Sequence, residues 1–367
     1  MKRVLIITLT FCAFTFSNVL AQYNFTMQEN VACTSVKNQE RTGTCWSFST
    51  VSFLESELMR MGKTEYDLSE MYIVRNIYGD KARNYVLRQG KANFSQGSLS
   101  HDVMRGFKMF GIVPESVYSG KLTANSIHDH SEMEAAMKGM LDAIVKQKRP
   151  SNKWPEALDC IMDAYMGEAP ETFTWQGKQY TPQAFANSLG INPDDYVSLT
   201  SYSHHPFYEK CILELPDNYS NGSYYNIPID ELEAIVAHAL SEGYTIAWDG
   251  DVSEKGFSSS NGMAIVPQDP SRKDVFDKPG PEVKVDQALR QETFQNYATT
   301  DDHLMHLTGI AKDQDGTPYY LTKNSWGEIS DYKGFLYMSS SYFRLKTVAI
   351  MVHKDAIPAD IAKKLVL

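Results

Sequence analysis

Residues 38–57, NQERTGTCWSFSTVSFLESE, constrain the chain more than any other stretch. Trp46, Phe48, Val51, Phe53, Leu54 and Leu58 recur at roughly helical spacing. A buried helix is predicted there, with Cys45 where a loop enters it. Gly43 loosens the turn ahead of the cysteine, and Gln39 stands six residues before it. A helix N-terminus carries about half a positive charge, so a thiol there is expected to lose its proton readily. The thiolate is a nucleophile, and a glutamine amide a short loop upstream has the chemistry of an oxyanion donor. Taken alone, the same residues describe a small buried cysteine capping an apolar helix.

Past this helix the period stays helical for some distance. Leu68-Ser69-Glu70 reads as a helix start, and Met71, Val74 and Tyr78 continue one apolar face. A polar loop over 93–100 leads into a helix carrying Val103, Phe107 and Phe110, which Gly111 ends. Residues 121–243 are richer in helix signals than in strand signals. Ser131 and Glu134 form a capping box, Pro155 and Thr181-Pro182 open two more helices, and Ile229–Ser241 makes a fourth. From Tyr244 the period becomes that of strands, at 244–248, 304–310, Pro318–Lys323, 334–338 and Thr347–His353. Helices first and an antiparallel sheet after them predict an α+β protein of two lobes with a cleft between them. The expected divisions are a helical lobe at about 30–120, a helical insertion at about 121–243 and a β lobe at about 244–355.

Residues 1–21 read as a signal peptide. Lys2 and Arg3 precede an uncharged, largely apolar run at 4–20, and Val19-Leu20-Ala21 fits a cleavage site. Cleavage after Ala21 predicts a secreted or periplasmic protein, with 22–367 as the mature chain, free of the membrane. Losing Lys2 and Arg3 takes the net charge from −10 to −12, which argues against a nucleic-acid partner. Export permits disulfides, so a Cys160–Cys211 bond is open to the mature chain. His128, His130, His204 and His205 lack ligand spacing, so no metal and no other cofactor is expected.

Two stretches in the β half supply what Cys45 would need as a nucleophile. Asp302-His303-Leu304-Met305 enters a strand, and Lys323-Asn324-Ser325-Trp326-Gly327 leaves one, with 21 residues from His303 to Asn324. A cysteine nucleophile needs an imidazole to manage its proton. The imidazole needs a partner that fixes its orientation and tautomer, which an asparagine amide oxygen provides. Trp326 is placed to shield that bond. Each motif alone reads as a strand-end histidine or a turn. Gln39, Cys45, His303 and Asn324 together, each in its expected local setting, read as a catalytic set.

With those residues in view, the sequence resembles the papain clan of cysteine peptidases, and within it the bleomycin hydrolase / aminopeptidase C branch. Gln39, Gly43-Thr44-Cys45-Trp46-Ser47-Phe48 and the two β-half motifs carry the likeness, which extends through Phe173-Thr174-Trp175 and residues 181–185, 196–201 and 248–252. The resemblance implies a papain-like two-lobed fold with a large helical insertion. Cys45 to His303 is 258 residues, against about 130–150 in papain-like enzymes, and the insertion matches the excess. It also implies peptide substrates, with Cys45 as nucleophile, His303 as acid and base, Asn324 as orienter and Gln39 as oxyanion donor. A homo-oligomer, hexameric in that branch, is implied as well.

The branch has a C-terminal arm whose carboxylate engages the substrate's ammonium and makes an aminopeptidase. This sequence stops at Leu367, short of such an arm. The expectation is therefore a cleft open at its non-primed end, endopeptidase action beside aminopeptidase action, and Asp249, Asp251 and Trp326 as substrate-binding residues. Thr42 and Gln96-Gly97-Ser98-Leu99 also depart from the branch's pattern. Two other readings stay open: a catalytically idle peptide-binding relative, and a nucleic-acid-binding role that the negative charge disfavours.

Overall fold

The computed structural model describes residues 22–367, and the expected signal peptide at 1–21 lies outside them. In chain order the first helices are α1 (Cys45–Arg60), α2 (Glu70–Leu87), α3 (Ser100–Phe110), α4 (Ser131–Val145) and α5 (Trp154–Met166). They are followed by α6 (Pro182–Leu189), α7 (Ile229–Ser241), α8 (Gln287–Gln295), α9 (Ser340–Lys346) and α10 (Ala359–Leu365). The earlier strands are β1 (Thr26–Asn30), β2 (Phe173–Trp175), β3 (Lys178–Tyr180), β4 (Tyr196–Thr200), β5 (Lys210–Ile212) and β6 (Ser223–Asn226). The later ones are β7 (Ile246–Gly250), β8 (Phe257–Ser258), β9 (Met263–Ala264), β10 (His303–Lys312), β11 (Pro318–Lys323), β12 (Phe335–Ser339) and β13 (Thr347–His353).

Local chemistry sets the helix ends. Ser69 accepts the Tyr72 amide ahead of α2, and Thr181 accepts that of Ala184 ahead of α6. Gly111 and Gly167 end α3 and α5 at a φ of 78°, where a side chain would be strained. The start of α4 differs from the expected capping box: Ser131 is already helical, and Asp129 accepts its amide at 3.1 Å.

Every residue of α1 from Cys45 to Leu58 is buried, so it is a core helix rather than an amphipathic one. Its polar side chains must then find partners inside. Ser47 Oγ donates to the Glu70 carbonyl at 2.9 Å and Ser49 Oγ to that of Met305 at 2.7 Å. Ser52 Oγ lies 2.9 Å from His306 Nδ1 and accepts Lys323 Nζ at 2.7 Å. The Glu55 carboxylate accepts Thr34 Oγ1 at 2.6 Å, the Leu68 amide at 2.9 Å and Lys37 Nζ at 3.3 Å.

Eleven strands form one sheet in the order β5-β6-β4-β13-β7-β10-β11-β12-β9-β8, with β1 also paired to β10. Neighbours are antiparallel except β4/β6 and β12/β9. Residues 121–243 are therefore not wholly helical: they give β4, β5 and β6 to the sheet. The cause is non-local, since β4 finds its partner in β13, far later in the chain. One face of the sheet packs on a core with Trp46, Phe53, Ile73 and Leu304. The other packs on a core with Leu232, Trp248 and Met305. The helix α10 joins that second core through Ile361 and Leu365, and Lys364 pairs with Glu231 of α7 at 2.7 Å. Cys33, Cys45, Cys160 and Cys211 are free thiols, so the bond left open for Cys160 and Cys211 is not formed.

Replacing Glu55 with Ala would leave Thr34, the Leu68 amide and Lys37 without their shared acceptor. Breaking one member of a buried charged network costs about 3–5 kcal/mol. The urea midpoint should fall to match at an unchanged m-value. A loss below about 1 kcal/mol would show that this network does not anchor α1.

Candidate active site

Cys45 is the first residue of α1 and is 8% exposed. The backbone N–H groups of Leu304 and Trp46 face its sulfur, which places the thiol at the start of β10. Along that strand His303 and His306 project to opposite faces. His306 turns to Ser52 of α1. His303 Nε2 lies 2.7 Å from Asn324 Oδ1, which also accepts the Ser325 amide at 2.8 Å. Two donors on one oxygen fix the asparagine amide, so Nε2 carries the ring proton and Nδ1 is left with a lone pair. The Trp326 ring lies 4.6 Å from the imidazole, inclined at 33°, and covers it.

Gln39 is tied to the same loop. Its backbone amide donates to the Ser325 carbonyl at 2.8 Å, and its Oε1 accepts Ser325 Oγ at 2.6 Å. Its Nε2 donates to the Thr42 carbonyl at 2.6 Å, which occupies one amide proton and leaves the other for an acceptor in the cleft. The turn passes through Glu40 at a φ of 56°, held by its carboxylate bonds to Lys121 and the His128 amide. Thr42 Oγ1 closes the turn on the Gln39 carbonyl at 2.8 Å. Gln96 secures the chain before and after the thiol: Oε1 accepts the Gly43 amide at 2.7 Å, and its carbonyl accepts the Trp46 indole at 2.9 Å.

Burial dominates the electrostatics. It pushes the Cys45 thiol up to about 12, outweighing the two amides that face it, and the charges of Asp301 and Asp249 add to the effect. It pushes the His303 imidazole down to about 4, outweighing the bond to Asn324. The expectation of a thiol acidified by the helix N-terminus is thus corrected. Each charge alone would be stripped of water.

The remaining expected residues divide. Asp251 is committed to structure: Oδ1 accepts the Ser253 amide and hydroxyl at 2.8 and 2.7 Å, and Oδ2 accepts the Thr300 amide at 3.2 Å. Asp249 pairs across the sheet with Leu304, the residue after His303, and neither of its buried oxygens has a hydrogen-bond donor. His128 and His130 are buried, His130 against the Tyr78 hydroxyl. His204 and His205 each lie 3.1 Å from Glu214, a convergence their sequence spacing did not reveal. Their ligand atoms lie within 4.8 Å of one another, close enough to hold a metal ion. Ser325, which orients both Asn324 and Gln39, was missed, although it sits between Asn324 and Trp326 in the motif. Asp301 was missed beside the Asp302-His303 pair.

The model of the peptidase C1-like family matches residues 96–366, and that of the papain family cysteine proteases matches residues 21–153. Aminopeptidase G of Lactobacillus delbrueckii subsp. lactis is 24% identical over 377 residues, covering 89% of this chain and 82% of the relative. Human bleomycin hydrolase is 23% identical over 385 residues, covering 89% and 81%. A crystal structure of PepW from Lactobacillus rhamnosis HN001 superposes with a TM-score of 0.72 at 19% identity, over 93% of this chain and 84% of that one. That likeness shows the papain-like α+β fold.

The buried carboxyls near the thiol give a pH signature. Burial pushes the Asp301 carboxyl up to about 7, and Asp217, Asp302 and Lys81 also act on it. Asp249 is raised well above the usual range. Groups raised in the fold hold protons that the unfolded chain has lost. Their contribution to stability is full below the ordinary 3.8 and is lost as pH rises through about 7. The melting temperature of Asp301→Asn relative to wild type should therefore climb between about pH 4 and about pH 8. A constant difference across that range would mean that the pair is not held protonated.

Proposed function

The chain belongs to the peptidase C1-like family and is a cysteine-type peptidase of the bleomycin hydrolase and aminopeptidase C kind, and from that premise we propose that Cys45, His303, Asn324 and Gln39 carry its chemistry. A neutral His303 with a free Nδ1 is suited to accept the thiol proton as the Cys45 sulfur attacks the substrate carbonyl. Proton transfer and attack then occur together, so neither group has to carry an isolated buried charge beforehand. The new C–S bond places negative charge on the carbonyl oxygen. The free Gln39 amide proton and the Cys45 backbone N–H, unpaired at the first turn of α1, are the donors for it.

Collapse of that intermediate breaks the C–N bond, and the His303 imidazolium gives its proton to the leaving amine. His303 then takes a proton from water, which attacks the thioester and releases Cys45 as a thiol. Asn324 holds the ring throughout, and the covering Trp326 strengthens its bond by keeping water away.

The carrying observation is the 2.7 Å bond from His303 to Asn324 under Trp326, tied through Ser325 to Gln39. An idle peptide-binding relative would have no need for such an arrangement. The names of the relatives favour removal of residues from a free N-terminus over cleavage within a chain.

Hydrolysis of a fluorogenic peptide tests the roles. Cys45→Ala should abolish turnover while leaving the melting temperature near wild type. His303→Ala should lower kcat by about a thousandfold or more. Asn324→Ala should cost less, because it orients rather than reacts. His306→Ala should act mainly on stability, through Ser52. Turnover within tenfold of wild type in Cys45→Ala would show that the nucleophile is elsewhere.

A further inference from the structure

The chain leaves β4 through Ser201 and Tyr202 into a turn that carries His204 and His205. Buried Asn226 of β6 clamps that turn. Its Oδ1 accepts the Tyr202 amide at 2.8 Å, and its Nδ2 donates to the carbonyls of Tyr202 and His205 at 2.8 and 2.9 Å. Glu214 arrives from the end of β5. Leu213 and Leu215 are buried on either side of it, which leaves the carboxylate between them to face the two imidazoles. Its Oε2 lies 3.1 Å from His204 Nε2, and its Oε1 lies 3.1 Å from His205 Nε2. The two ring centroids are 4.2 Å apart, and the Phe294 ring of α8 lies alongside that of His204 at 5.9 Å.

Two imidazole nitrogens and a carboxylate are a donor set that suits first-row divalent ions such as Zn²⁺. Zinc holds nitrogen and oxygen ligands at about 2.0–2.2 Å, which in a tetrahedron sets neighbouring ligand atoms about 3.3 Å apart. The two nitrogen–oxygen separations of 3.1 Å already come close to that. A metal-binding histidine also needs its other ring nitrogen held. Gln291 of α8, which is buried, does this for His204: its Oε1 lies 3.3 Å and its Nε2 3.1 Å from Nδ1. The Ser203 amide fixes that Oε1 by donating to it at 2.6 Å. Nδ1 therefore has an acceptor at hand when it carries the ring proton, and Nε2 is then left with a lone pair for a metal. An ion pair of the histidines with Glu214 would account for the two contacts alone. The buried amide that holds His204 from behind is the observation that points to a metal.

We propose that His204, His205 and Glu214 bind a divalent transition-metal ion of the zinc class, with Gln291 as a positioning residue behind His204. None of these residues belongs to the set assigned to peptide hydrolysis, so the inference does not rest on that reading. Three protein ligands leave a fourth position for water or for a ligand atom. His204 and Glu214 also line a cavity of about 550 Å³, whose other walls include Leu215, Phe294, Tyr297 and Asp301. A bound ion would tie together three separate stretches: the turn after β4, the segment after β5 and, through Gln291, the helix α8.

The test is calorimetric titration of Zn²⁺ at neutral pH into the chelator-treated full mature chain carrying Cys45→Ala, which keeps the buried thiol from taking the ion. One ion per chain should bind with about micromolar affinity or tighter, and Mg²⁺ and Ca²⁺, which seek oxygen ligands, should not compete. His204→Ala and Glu214→Ala should each weaken binding about a hundredfold or more, and Gln291→Leu about tenfold to a hundredfold. Co²⁺ bound in place of zinc should show a visible spectrum without a thiolate charge-transfer band, and Gln291→Leu should keep that spectrum once saturated. The three ligands are partly exposed, so the metal-free melting temperatures of their variants should match the parent, and His205→Gln serves as a further variant. No binding at about millimolar zinc, affinity unaltered in both His204→Ala and Glu214→Ala, or a thiolate band in the Co²⁺ spectrum would overturn the site. Unaltered affinity in Gln291→Leu would remove its positioning role.

Discussion

A helix buried on nearly all sides against a strand is the constraint from which the site follows. Because α1 has almost no solvent face, Ser47, Ser49, Ser52 and Glu55 take their partners from neighbouring elements. The Ser49 bond to the Met305 carbonyl and the Ser52 contact with His306 join α1 to β10 at two successive turns of the helix. These contacts fix the register between the element that begins with Cys45 and the element that begins with His303. Placement of the Cys45 thiol is thereby a packing property of the whole molecule, and loops only complete its surroundings. The Asn324–Trp326 turn brings the orienting amide and its cover, and the Gln39–Thr42 turn is bound to it through Ser325.

The same burial sets the chemistry. Removing water from a lone thiolate or imidazolium makes both unfavourable, which pushes the Cys45 thiol up and the His303 imidazole down. The neighbouring carboxyls Asp301 and Asp249, where ionised, push the thiol in the same direction.

Much of this was legible in the residues. Ile229–Ser241, Pro318–Lys323 and Thr347–His353 were read with their observed ends, because strong periodicity is bounded there by clear turn chemistry. The motifs around Cys45, His303 and Asn324 stood out because each is short and sits at a recognisable boundary. What escaped depends on distant partners. Strand β4 has its place because β13 lies beside it, and nothing in residues 196–200 announces that. Glu214 folds back on His204 and His205, and Asp217 settles on Gly97, through a segment with no periodicity of its own. The sequence pattern predicted α1 as a buried helix from its apolar residues, and its serines turn out to be as buried as its aromatics.

Covalent labelling tests the central claim most directly, since it asks whether one thiol among the four in residues 22–367 is set apart by its surroundings. The mature protein would be treated with a stoichiometric amount of a peptidyl epoxide and digested for peptide mapping. Cys45 is 8% exposed while Cys160 lies open on the surface, so simple accessibility favours Cys160. An active site assembled by α1 and β10 requires the label on Cys45, with its loss in His303→Ala. A label on Cys160 or Cys211, or equal labelling of Cys45 in wild type and His303→Ala, would contradict it.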